Sequence, residues 1–108
     1  MKGLVRTLVL ATGLFALSCR QQDVRTATIT CPQVRNARCA ELVTTALART
    51  DGVLADSIKV KDGVATVTYD SMKVAVKNLA FSIAEAGFDA DDIPADIKAR
   101  EALPPECR

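Results

Sequence analysis

Asp62-Gly63 stands between two short runs that alternate apolar and polar residues: Ile58 and Val60 before it, Ala65, Val67 and Tyr69 after it. Aspartate followed by glycine suits the two left-handed positions of a tight hairpin turn. Alternation on both sides is the pattern of half-buried strands. The centre of the chain is therefore a two-strand hairpin, with Asp56 marking a splayed start to its first strand. A hairpin of this size buries too little to stand alone, so the flanking segments must cover one of its faces.

Those segments are amphipathic helices. From Cys39 to Arg49, Leu42, Val43, Ala46 and Leu47 recur at helical spacing and make one apolar stripe. Asn36 is a good residue to cap the start, and Asp51-Gly52 closes the end. After the hairpin, "SMKVAVKNLAFSIAEAGF" carries a second stripe of Val76, Leu79, Ala80 and Ile83, with Ser71 or Asp70 as its cap and Gly87 as its stop. Upstream, "VRTATITCPQV" places Ala27, Ile29 and Cys31 on one strand face, and Pro32 weakens pairing beyond it. Phe88 begins a short final strand or turn. The order is strand, helix, hairpin, helix, short strand. It predicts an α+β fold of the ferredoxin-like βαββαβ type, two helices on one face of an antiparallel sheet.

The chain begins "MKGLVRTLVLATGLFALSC": Lys2 and Arg6, then an apolar run from Leu8 to Leu17. A basic start and short apolar core read as a secretory signal peptide, residues 1–18. The run is too short for a helix across a bilayer of about 30 Å. "FALS" before Cys19 resembles a bacterial lipobox, which implies a lipid on Cys19, export to the periplasm or outer envelope, and contact with the membrane through that anchor alone. Residues 19–23 then form a tether, residues 24–90 the folded domain, and residues 91–108 an acidic tail interrupted by Pro94, Pro104 and Pro105. Within the tail, residues 95–103 read as one short helix and the acidic run as solvated surface.

Composition narrows the function. Losing Lys2 and Arg6 from 14 basic residues leaves 12 against 13 acidic ones, a net charge of −1. That is no footprint for nucleic acid. The chain has no histidine, which removes imidazole catalysis and mixed Cys/His zinc sites. No carboxylate pairs with a nucleophile or phosphate loop, and the reading is of a protein that is not an enzyme. With Cys19 lipidated, Cys31, Cys39 and Cys107 remain. An odd number leaves at least one thiol free, metal-bound or joined to another molecule.

Cys39 opens a helix whose downstream residues Val43, Ala46-Leu47 and Gly52-Val53 resemble the heavy-metal-associated domain family, that of periplasmic mercury-binding proteins and copper chaperones. "ATVTYD" (65–70) and "AEAGF" (84–88) resemble the family's third strand and helix end. The family signature is a strand, a Gly-Met-x-Cys-x-x-Cys loop, then the helix. Its resemblance implies soft-metal binding by paired thiolates, of the Cu(I), Hg(II) or Zn(II) kind, and a metal transporter or another envelope protein as partner. Here Asn36 stands in the first cysteine slot, and Gln33 and Val34 in the glycine and methionine slots. Cys31 occupies an inward strand position, as a small buried hydrophobe does.

A thiolate at a helix start is favoured by the dipole and free N–H groups, and Arg35 and Arg38 add attraction, with Asn36 beside them. A single thiolate chelates poorly. Three repairs are open: Cys107 returning from the tail as the second sulfur, Cys31 turning to the loop, or two molecules sharing one ion. Cys39 and Cys107 are accordingly the candidate metal ligands. The same reach allows a Cys39–Cys107 disulfide, or a Cys107 that stays free in the tail. The alternative functions are a metal-free interaction module of this fold, or a disulfide-linked structural domain.

Overall fold

The computed structural model describes residues 22–108. The signal peptide and Cys19, with tether residues 20–21, lie outside the described residues. Strand β1 (Val24–Thr30) buries Ala27 and Ile29, and Cys31 just beyond it continues the same inward face. Helix α1 (Ala37–Ala48) starts two residues earlier than the apolar stripe suggested and buries Cys39, Val43 and Leu47. A 3-10 turn (Ala55–Ser57) precedes β2 (Lys59–Lys61), and it holds Asp56 where the splayed strand start was expected. Strand β3 (Val64–Asp70) follows the turn, and Asp62 and Gly63 both have positive φ, 51° and 78°. Mirror-image turns of this kind match the twist of the strands they join.

The sheet order is β1-β3-β2, antiparallel throughout. Ala27 faces Val67 and Ile29 faces Ala65, so the inward residues of β1 and the central strand β3 meet the helices in one layer. Helix α2 (Val76–Glu85) buries Leu79, Ala80, Ile83 and Ala84. Together these side chains form an aliphatic core between the sheet and one layer of two helices. Aliphatic packing of this kind supplies about 25 cal/mol for each Å² of apolar surface removed from water. Among the described residues no helix is long and apolar enough to cross a membrane.

Three local expectations change. Neither Ser71 nor Asp70 caps α2: Asp70 Oδ1 accepts from the Asp23 and Met72 backbone N–H groups, and the Ser71 hydroxyl donates to Asp23. Both residues are engaged in tying β3 to the start of β1, so the helix begins later, at Val76, where Asn78 Oδ1 accepts from the Ala75 N–H. Val76 is 39% exposed and leaves the stripe, which starts at Leu79. The final strand is the third. Beside β1 the returning chain makes one rung, the Asp91 N–H donating to the Thr30 carbonyl while the Thr30 N–H donates to Asp91 Oδ1. Asp91 then turns away with a φ of 51°, and the chain closes a bridge between Ala90 and Ile93.

From that turn the tail runs back over the domain. Helix α3 (Ile97–Glu101) is capped by Asp96 and lies inside the predicted span. The Asp96 N–H donates to the Ala84 carbonyl at the end of α2. The aspartates of the acidic run are not merely solvated. Asp89 accepts from Gln33 Nε2 at 2.7 Å and from the Ala95 N–H at 2.8 Å, while its own N–H donates to Gln33 Oε1. Gly87, at φ 105°, allows the closest approach: an added Cβ would stand 2.9 Å from the Ala99 carbonyl carbon and from Leu103 Cδ1. A Gly87→Ala substitution should therefore lower stability by roughly 2 kcal/mol, through a strained φ and a blocked α3. Thermal unfolding checks it. Deleting residues 95–108 should remove the steric part of the cost and leave the φ part.

Candidate metal-binding site

Chain direction brings the candidate residues to one end of the core. Strand β1 runs toward that end and delivers Cys31; the loop after it passes through Gln33 and Val34, and α1 starts there. Asn36 has extended backbone, φ −138°, and its Oδ1 accepts the Cys39 N–H at 3.0 Å. Asparagine in the first cysteine slot is thus the helix cap. It uses its side chain on the backbone and offers nothing to an ion. Capping of this kind is worth about 1 kcal/mol.

Cys39 is fully buried, and it is bonded to Cys107. The disulfide spans 68 residues with its Cα atoms 5.6 Å apart. Cys107 comes in on a 3-10 turn (Pro105–Cys107) and is also fully buried. The Glu106 carbonyl oxygen sits 3.8 Å from Cys39 Sγ. A half-cystine has no proton to donate, so this is a packing contact. It places the Glu106 carbonyl against the Cys39 sulfur.

The candidate ligands, Cys39 and Cys107, are therefore brought together, but as a disulfide sulfur pair and not as open thiolates. Arg35 and Arg38, expected to tune the site, are exposed. Arg35 and Asn36 line a cleft of about 260 Å³ with Val34, Ala37, Ala40, Val60, Lys61 and Asp62. Neither sulfur lines it. Arginine side chains are long and well hydrated, and nothing at this helix start desolvates them. The ion pair recorded among the described residues is elsewhere, between Arg25 and Asp23 at 2.8 Å.

Cys31 keeps the strand role read from the sequence. It is free, fully buried and aimed into the core. Burial, helped by the charge of Asp91, pushes its thiol from 9.0 up to about 11. Desolvation penalises the thiolate, which makes Cys31 a poor ligand and a poor nucleophile. Among the described residues no group of three or more His, Cys, Asp or Glu side chains is placed to hold an ion.

What sequence reasoning missed is how the tail is fastened. The Gln33–Asp89 clasp, the Asp91 rung and Leu103 packing close to Gly87 give no periodic signal. Only the aspartate run marked them, and aspartate runs usually mark solvent.

No family profile matches the chain, and no curated protein does. Solved structures do. Oxidized MerP from Ralstonia metallidurans CH34 is 27% identical with a TM-score of 0.59; the match covers 64% of this chain and 96% of that one. The CopZ metallochaperone is 29% identical with a TM-score of 0.57, covering 61% and 98%. The mercury-bound form of MerP, the periplasmic protein of the bacterial mercury detoxification system, is 30% identical with a TM-score of 0.55, covering 64% and 96%. The chain belongs to the heavy-metal-associated domain family. These heavy-metal-associated relatives are metal-binding, chaperone-like proteins. The fold is the ferredoxin-like one read from the sequence. This heavy-metal-associated domain departs from the family pattern at Asn36 and gains a sulfur from its own tail.

Two outcomes follow. From Pro94 onward the tail buries one large apolar side chain, Leu103, worth about 2 kcal/mol. Loop closure across the crosslink contributes about 4 kcal/mol by the chain-entropy account, so the bond dominates. Cys107→Ser should destabilise the oxidised protein by roughly 2–4 kcal/mol in urea unfolding. For Cys31, the unfolded thiol ionises near 9.0 while the folded one resists to about 11. Its contribution is fully present below pH 9 and is lost as pH rises through that window. Cys31→Val should flatten this part of the stability profile, read by urea unfolding from pH 8 to 11.

Proposed function

We propose that the protein is an exported heavy-metal-associated domain that carries a soft metal ion between the Cys39 and Cys107 thiolates once their disulfide is reduced. One observation carries this reading: the tail returns a sulfur to the start of α1, where Cys39 stands, and makes good the thiol that Asn36 replaces. Two thiolates without histidine or carboxylate suit a two-coordinate ion such as Cu(I) or Hg(II). Zn(II) asks for four ligands, and the described residues supply two. The ion is cargo, and the protein performs no chemistry on it. Membership of a metal-binding family and likeness to mercury-bound MerP and CopZ support the reading.

Export is part of the same proposal. The leader on residues 1–18 and the lipobox-like Cys19 put the mature chain in the periplasm or outer envelope, lipid-anchored. A periplasmic relative and a disulfide, which persists in oxidising compartments, agree with that. A metal transporter or another envelope protein would exchange the ion. A second reading has its own observation. Both sulfurs are fully buried, as in a metal-free module stapled by its disulfide.

Titration separates them. Reduced protein, freed of reductant under argon, should take up one Hg(II) per chain in mass spectrometry. Cys39→Ala and Cys107→Ala should each weaken binding by about 100-fold or more, because the chelate is lost. Unchanged affinity in Cys39→Ala would remove the metal reading and leave the stapled module.

A further inference from the structure

The tail is fastened in two unequal parts. Residues 89–103 are held by many contacts to the body of the domain: the Asp89–Gln33 clasp, the Asp91 rung on Thr30, the Asp96 N–H on the Ala84 carbonyl, and Ala99 packed on Gly87. Residues 104–108 are held by less: Cys107 is buried in the core cluster, but the hydrogen bonds of the segment are local. The Cys107 N–H donates to the Pro104 carbonyl, the Arg108 N–H to the Pro105 carbonyl, and Arg108 Nε to the Leu103 carbonyl. All three bonds stay within the segment or reach its immediate neighbour. Pro104 and Pro105 have no N–H to offer. Among the described residues, the disulfide and the Cys39–Glu106 packing contact are what join this segment to α1.

That segment also contacts Cys39, through the disulfide and the Glu106 carbonyl. We infer that residues 104–108 form a redox-operated lid: the disulfide holds it shut over Cys39, and reduction opens it about Pro104 while residues 89–103 stay docked. The chemistry balances with a dithiol as reductant. The dithiol gives up two electrons and two protons and closes into a cyclic disulfide; the Cys39–Cys107 S–S bond breaks, and each sulfur receives one proton. The opened lid exposes Cys39 and carries Cys107 on a short pivot. Oxidation closes both sulfurs off together. The lid rests on the reading of Cys39 and Cys107 as a working thiol pair. Its test uses no metal, so that either idea can fail alone.

Cysteine labelling reads the lid directly, because Cys31 serves as an internal reference for the closed core. The full mature domain is treated with iodoacetamide, and the rate at each cysteine is followed by mass spectrometry. Three forms are compared: reduced wild type, Cys107→Ser, and a deletion of residues 104–108. In all three, Cys39 should be labelled about 100-fold faster than Cys31, as local opening without global unfolding requires. The deletion sets the fully open rate. If Cys39 in reduced wild type and in Cys107→Ser is as slow as Cys31, apolar packing alone shuts the segment and the lid is overturned. If Cys31 reacts as fast as Cys39, the bond holds the whole fold and not a lid, which overturns the proposal equally.

Discussion

A single covalent bond between the first turn of α1 and the penultimate residue of the chain organises this end of the molecule. Cys39 lies where the backbone N–H groups of a helix start are unpaired, and Asn36 satisfies one of them. The bond to Cys107 leaves the Cys39 sulfur no proton to lose, and the sulfur is fully buried with Val43 and Leu47 on the inward face of α1. The chain after Gly87 is held by its own contacts and ends by bringing Cys107 to this point. The returning chain gives up a full fourth strand, turns at Asp91, and crosses the end of α2 through the gap that Gly87 leaves open.

Much of the body was legible because its signals are periodic and local. Asp62-Gly63 has turn chemistry that fits two facing strands, and the turn formed with both residues left-handed. The stripe through Val43 and Leu47 named the buried face of α1 correctly, and Cys31 fell on the inward face of β1 as its spacing required. Where sequence reading slipped, a tertiary bond had outbid a local preference. Ser71 is a fair cap by type, yet its hydroxyl serves Asp23. The fourth strand had adequate residues in Phe88 and Ala90, but a turn at Asp91 ended it after one rung.

At the site, sequence showed which sulfurs mattered and left open what joined them. Reach alone allowed free tail, disulfide or bridged ion. The structure joins the two sulfurs across a separation of 68 residues, a pairing that no local pattern in the sequence specifies. The two arginines illustrate the same limit. Arg35 and Arg38 neighbour Cys39 along the chain, and charge at short sequence distance suggested attraction to its sulfur. In space they stay in water, while the sulfur goes inward.

Arg108 stands next to Cys107, its N–H on the Pro105 carbonyl and its Nε on the Leu103 carbonyl, so it sits close to the sulfur pair. The described amino-terminal residues lie at the opposite end of β1. Any peptide fused after Arg108, a purification handle included, would start one residue from the crosslink, and a histidine-rich one would bring the imidazoles that this chain lacks.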